Sequence, residues 1–248
     1  MTNRERYNFD DFTLKEYEKL LVTAKKSHTF ISFEEKFVDN FLICRHDIDV
    51  SVHRAFRMAE IEMNNNISST YFVLLHSEFY NALDIVNLNL LKKIHDMGHW
   101  VGLHFDSSFY NINDSNDLAK WLNYEKLILE TSLNCEVKSF AFHNPTTFDL
   151  EFDEHIYGGL VNAYSKKIKQ LAKYCSDSNG YWRYDRMLDV VNSRDHKNLY
   201  LLTHPEWWSD EVTSPKERIT RALNGRLDNT YQNYDRFLLS NKRENIDW

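Results

Sequence analysis

Short runs of strand-forming residues alternate along this chain with helix-periodic segments, and most of the runs end in an aspartate or a histidine. The runs are Phe41-Leu42-Ile43-Cys44, Ser69 to Leu75, Trp100-Val101-Gly102-Leu103, Lys138-Ser139-Phe140-Ala141-Phe142, Lys173-Tyr174-Cys175 and Leu199-Tyr200-Leu201-Leu202. Between them, apolar residues recur at helical spacing: Val52, Ala55, Ala59 and Met63, then Leu88 to Met97, then Leu118, Trp121, Leu122, Ile128 and Leu129. Such alternation predicts an α/β fold with a parallel sheet, open or closed into a barrel, whose functional groups gather at the carboxyl ends of the strands. Asp47 and Asp49 follow the first run, His104 the third, His143 the fourth, Asp177 the fifth and His204 the sixth, so five strand ends deliver an acid, base or ligand to one face.

Two capping patterns bound the outer helices. Thr13-Leu14-Lys15-Glu16 reads as a capping box before a first helix carrying Leu14, Tyr17, Leu21 and Ala24. Ser214-Pro215-Lys216-Glu217 predicts a closing helix with proline at its first position. No linker or internal repeat interrupts the chain, which has only 6 Gly and 3 Pro, so residues 1–248 are expected to form a single catalytic domain.

The bulk composition excludes several classes. A hydrophobic fraction of 42% supplies an ordinary core. A net charge of −7, with both signs mixed throughout, gives no electrostatic footprint for nucleic acid. Neither an apolar leader nor a stretch of roughly 18 apolar residues is present, so no membrane span and a cytoplasmic location are expected. Cys44, Cys135 and Cys175 form no Cys-x-x-Cys pattern, and Cys44 and Cys175 read as small buried apolar residues on strands.

Asp47 and Asp49 are two apart, so in extended chain they point to one side, where a cation or proton between them would relieve their repulsion. With a metal, one carboxylate ligates and the other is free to take a proton from water. The simpler alternative is that one of them caps the next helix. His143 and His204 lie beside prolines, in His143-Asn144-Pro145 and His204-Pro205, which predicts extended chain leaving both strands. Asp177, in Asp177-Ser178-Asn179-Gly180, reads first as a turn residue and second as a group orienting a catalytic partner. Phe79-Tyr80, Tyr181-Trp182 and Trp207-Trp208 fit either a sugar subsite or helix-on-sheet packing. His46, His53, His76, His95, His99, His155 and His196 gain no role from spacing.

Together these residues resemble the NodB-type polysaccharide deacetylases, carbohydrate esterase family four, from about Phe41 to Trp208. The likeness is carried by Arg45-His46-Asp47-Ile48-Asp49, Gly98-His99-Trp100-Val101-Gly102-Leu103-His104 and Leu201-Leu202-Thr203-His204-Pro205. The resemblance implies a distorted (β/α) barrel of about seven strands and substrates that are acetylated sugars. It makes Asp47 the general base, Asp49 and His104 metal ligands, and His204 the general acid.

Two positions depart from the family pattern. Ser108 stands where a second metal histidine is usual, and His143-Asn144-Pro145 replaces an Arg-x-Pro segment whose guanidinium pairs with the base. His143 is therefore expected as the third ligand, with Asp106 next in line.

The expected activity is metal-dependent hydrolysis of an acyl group from an acylated sugar, nucleotide sugar or glycan, with one divalent ion, zinc before others. Two rivals use the same residues. One is a glycosyltransferase in which Asp47-Ile48-Asp49 binds a metal and a nucleotide diphosphate, and the other is a carbohydrate-binding module without catalysis.

Overall fold

The computed structural model describes residues 1–247. In chain order the elements are α1 (Asn3–Arg6), α2 (Leu14–Lys25), β1 (Thr29–Ile31), β2 (Phe41–Ile48), α3 (Val52–Asn64), β3 (Thr70–Leu74), α4 (Ile85–Asp96), β4 (Trp100–Phe105) and α5 (Ser115–Leu133). They continue with β5 (Ser139–Phe142), β6 (Ile156–Tyr157), β7 (Leu160–Asn162), α6 (Lys166–Leu171), β8 (Lys173–Ser176), α7 (Met187–Ser193), β9 (Leu199–Thr203) and α8 (Pro215–Ser240).

One sheet runs in the order β6-β7-β5-β4-β3-β2-β9-β8, curled into a half-barrel. Every neighbour pair along it is parallel except the β6–β7 hairpin, which leaves seven parallel strands on this path, with β1 an eighth beside β2, in keeping with the distorted barrel of about seven strands that was expected. β1 pairs with Phe41, Leu42 and Ile43 on the edge of β2 that β3 reaches only from Arg45 onward. The short β1, β6 and β7 carry no sequence pattern of their own and were not among the expected strands.

The pleat of β2 divides the molecule. Leu42 and Cys44 pack toward α2 and α7, and Ile48 toward α3 and α4. Phe41 and Ile43 face the concave side with Phe72, Ala141 and Tyr200. Successive strand side chains alternate between faces, so Arg45 and Asp47 share the concave side while His46 joins the helical layer. Glycines make the concave side possible. A Cβ on Gly102 would lie 2.5 Å from the Phe72 ring, which occupies that space, and Gly98 takes the left-handed turn into β4 at φ +92°.

Expected caps are found with one shortfall. Ser214 and Glu217 form a full capping box, whereas Thr13 accepts from the Glu16 amide but Glu16 turns to Lys19 instead of reaching back. The capping alternative for the aspartates falls, because Ser51 caps α3. No helix among the described residues is long and apolar enough to cross a membrane.

Candidate active site

The concave face of β2 ends in three polar residues spaced by two. Arg45 is fully buried and grips Asp47 with two parallel bonds, Nε to Oδ1 and Nη2 to Oδ2, both 2.6 Å. Its guanidinium is set between the Phe72 and Tyr164 rings, at 5.2 and 4.8 Å, and Nη1 donates to the Tyr200 hydroxyl at 2.8 Å. Burial pushes the Asp47 carboxyl up, but the Arg45 charge and its hydrogen bonds outweigh this and hold it below the ordinary range. Asp47 is ionised at neutral pH. It lies within β2 rather than after it, since the strand runs four residues further than its apolar run, to Ile48.

Asp49 sits just past the strand, its carbonyl fixed by the Ser77 hydroxyl at 2.8 Å. Its Oδ1 is buried without a hydrogen-bond partner. Two imidazole nitrogens approach it. His104 Nε2 lies 3.1 Å away and His143 Nδ1 3.6 Å away, and these two nitrogens are 3.3 Å apart. His104 Nδ1 bonds the Ala141 carbonyl at 3.0 Å, and a carbonyl only accepts, so Nδ1 carries the proton and Nε2 turns a lone pair inward. The His104–Asp49 approach is therefore acceptor against acceptor, which wants a cation between.

The spacing tests that idea. A tetrahedral ion with bonds of ~2.0–2.1 Å separates its ligand atoms by about 3.3–3.4 Å. The three separations of 3.1, 3.3 and 3.6 Å scatter about that value. Oxygen and imidazole donors without thiolate suit zinc or another first-row divalent ion. Asp106 stays outside the group, accepting from the Ser108 amide at 3.0 Å and hydroxyl at 2.6 Å. His143 extends the β5 ladder through its amide bond to the Phe105 carbonyl at 2.8 Å. Its Nε2 meets the Asn144 side-chain amide at 2.9 Å. Asn144 takes a left-handed φ of +43° instead of the extended form expected before Pro145, a conformation asparagine tolerates.

His204 approaches from the opposite strand. Its backbone is extended, with φ −115° and ψ 119°, as expected before Pro205. Asp177 is fully buried and accepts from His204 Nδ1 and from its amide, both at 2.7 Å, and from Trp208 Nε1 at 3.1 Å. The turn interpretation of Asp177 is thus incomplete: Gly180 does close a turn on its carbonyl, but its carboxylate orients an imidazole. Burial pushes the His204 imidazole down, yet attraction to Asp177 outweighs it and holds the ring well above its ordinary value. His204 Nε2 faces Asp49 Oδ2 at 3.9 Å.

Two residues were missed by sequence reasoning. Arg45 had a visible signal, since it shares the strand face of Asp47 and Asp49, and it supplies the guanidinium absent from the His143-Asn144-Pro145 segment. Glu206 had none beyond closeness to His204. It is 3% exposed with Oε2 unpaired, and burial, with the Asp49 charge behind it, pushes its carboxyl up. The aromatic pairs divide: Trp208 packs on Phe12 and Tyr17 in the core, so Trp207-Trp208 is no sugar platform, while Phe79 and Tyr80 line an open groove.

No family model and no curated protein matches the sequence. Solved structures do. A carbohydrate esterase family 4 pseudoenzyme from Bacillus anthracis aligns at 16% identity and TM-score 0.42, over 82% of this chain and 65% of that one. The peptidoglycan deacetylase of Bacillus subtilis aligns at 12% identity and TM-score 0.47, over 85% and 99%. A family 4 acetyl xylan esterase from Clostridium thermocellum, in complex with a cobalt ion, aligns at 10% identity and TM-score 0.42, over 75% and 84%. The chain is similar in fold to carbohydrate esterase family 4 polysaccharide deacetylases, the family its motifs resemble.

Proposed function

We propose that this protein is a metal-dependent hydrolase that removes an acetyl or similar acyl group from an acylated sugar or glycan. The observation that carries the proposal is the unequal treatment of two aspartates on one strand face. Asp47 has its charge met by Arg45, while Asp49 Oδ1 is left bare between two imidazole nitrogens. That asymmetry supports Asp49, His104 and His143 as ligands of one divalent ion, and Asp47 as the base. A bound ion of this kind would supply Lewis acidity, making water easier to deprotonate and a carbonyl carbon more electrophilic.

The remaining steps belong to the chain itself. Asp47 takes the proton of the attacking water through a lone pair that Arg45 leaves open, since an ionised carboxylate offers about four acceptor sites. Arg45 fixes the direction of that carboxylate. His204, protonated at neutral pH by virtue of Asp177, gives its Nε2 proton to the departing amine or alkoxide. The glycosyltransferase alternative fits poorly, because both Asp47 oxygens are engaged by Arg45 and the two aspartates do not form a matched chelating pair.

The test is metal content and acetate release from an N-acetylated sugar, measured together. Asp47→Asn should keep its metal and lose about 10²–10⁴-fold in rate. Asp47→Asn protein with unchanged acetate release would refute the assignment.

A further inference from the structure

An open groove of about 830 Å³ lies beside the site. Val50 and Ser51, which directly follow Asp49, form part of its wall, and so does Glu206, two residues after His204. Its volume falls in the range of ~300–1,000 Å³ that accommodates extended small ligands. Two banks of arginine line it: Arg54 and Arg57, one turn apart on α3, and Arg221 and Arg226 on α8, while Arg218 at the inner end is buried over the Phe12 ring with its guanidinium on the Thr213 and Gly180 carbonyls. Without Arg218 the lining still holds four arginines against three acids, Asp84, Glu206 and Asp210, in a chain whose net charge is −7.

The acids do not cancel the arginines. Asp210 is taken by Arg54 at 2.9 Å, and Asp84 is spent on the N-terminus of α4, accepting from the Val86 and Asn87 amides at 2.9 Å. Arg57, itself exposed, has only the half-buried Glu60 as partner, a surface pair of small worth in water. Arg221 makes no hydrogen bond or ion pair among the described residues, and Arg226 bonds only the Glu78 carbonyl.

The orientation of α8 points the same way. A helix lying against its protein usually turns its apolar stripe inward. Here, beyond the buried Arg218, the positions lining the groove include Arg221, Arg226, Asn229 and Asn233, which recur along one side of the helix as a polar face, whereas Leu223, Leu227, Tyr231 and Tyr234 are exposed. Space is also left open, since a Cβ on Gly225 would meet no atom within 4 Å. The helix stands over the groove with guanidinium and amide donors, not with packing residues.

We propose that this groove binds the phosphate or diphosphate ester of the ligand, so that the substrate is a phosphorylated acyl sugar and not a neutral polymer. The substrate claim rests on the hydrolase proposal, while the anion site stands by itself. Guanidinium groups from two helices can each offer parallel donors to phosphoryl oxygens. A sugar 1-phosphate, a nucleotide sugar and a lipid-linked sugar diphosphate share this chemistry.

Calorimetric titration of inorganic pyrophosphate into metal-stripped protein tests the site without chelation by a bound ion. Wild type should bind saturably, and Arg57→Ala/Arg221→Ala should bind at least about tenfold more weakly, with Lys197→Ala as an undisturbed surface control. Absence of saturable binding, equal binding by the double variant, or tighter binding of polygalacturonate than of pyrophosphate would overturn the site. In parallel, metal-loaded protein is assayed for acetate release from N-acetylglucosamine, its 1-phosphate, its uridine diphosphate ester and its polyisoprenyl diphosphate in micelles. Preference for one of the phosphorylated forms, lost in the double variant, supports the substrate claim and names the source. Equal turnover of the neutral sugar overturns that claim while leaving the hydrolase intact. Pyrophosphate binding with no acetate from any sugar keeps the anion site and removes the hydrolase.

Discussion

Strand β2 carries two clusters of acid and histidine on its opposite faces, and they differ in how completely the acid is satisfied. On the helical side, Glu62 of α3 is fully buried and accepts from Tyr17 at 2.5 Å, Tyr71 at 2.6 Å, Ser69 at 2.7 Å and His46 at 2.8 Å. His46 in turn bonds Thr203, and His99, 3.5 Å from Glu62, bonds the Ala59 carbonyl at 3.1 Å. On the concave side the Asp49 carboxylate accepts from no hydroxyl, and its Oδ1 has no hydrogen-bond partner. Cys44, His46 and Glu62 are close enough together to suggest a metal site, as are Asp49, His104 and His143. The first set is saturated by donors, and the second is left short of positive charge. Saturation, more than proximity, separates a polar network that holds the fold from one that holds a ligand.

The comparison breaks first on stability. Glu62→Ala leaves a buried imidazolium and three hydroxyls without their acceptor, and should cost about 3–5 kcal/mol in chemical denaturation. Asp49 is partly exposed, and although burial pushes its carboxyl up, His104, His143 and His204 outweigh this and hold it ionised, so Asp49→Ala in metal-free protein should cost only about 1 kcal/mol, well short of the Glu62→Ala loss. Equal losses in the two variants would erase the distinction.

A second test is pH. Burial pushes the Glu62 carboxyl up, but His46 and its other partners outweigh it and hold it at about 2, from an ordinary 4.5. Its contribution is complete above 4.5 and disappears as the pH falls toward 2. Burial pushes His46 down, but Glu62 outweighs it and holds the imidazole at about 10, from an ordinary 6.5, so that contribution is complete below 6.5 and lost as the pH rises toward 10. The pair is fully stabilising between 4.5 and 6.5. The stability difference between wild type and His46→Gln should shrink steadily from pH 6.5 to 10, and a flat difference would mean that His46 is neutral.

The third test is smaller and lies within the concave cluster. His143→Ala should weaken metal affinity on the order of tenfold or more, while Asp106→Ala and Ser108→Ala change it little. Loss of affinity in Asp106→Ala with none in His143→Ala would move the third ligand to the loop after β4.

Much of this was legible before any coordinates. The alternation of runs gave the parallel strands, and strand-end placement brought Asp49, His104, His143 and His204 together. The division of β2 into two faces follows from a period of two, and that same period places Arg45 beside Asp47, although it assigned no role to either Arg45 or His46. Glu62 was readable as a polar residue at a buried position of α3, in register with Ala55, Met58 and Ala59. What the sequence does not reveal is saturation. Tyr17, Ser69 and Tyr71 come from three separate elements, and nothing local says that their hydroxyls converge on one carboxylate. The strands β6 and β7 at one end of the sheet are two and three residues long, too short for any periodicity to show.

The central claim is that the unsatisfied carboxylate, and not the saturated one, holds the ion. Anomalous scattering from a crystal soaked in zinc measures this directly. One peak within bonding distance of Asp49, His104 and His143 is the result expected, and a peak at Cys44, His46 and Glu62, or none at either cluster, would contradict it.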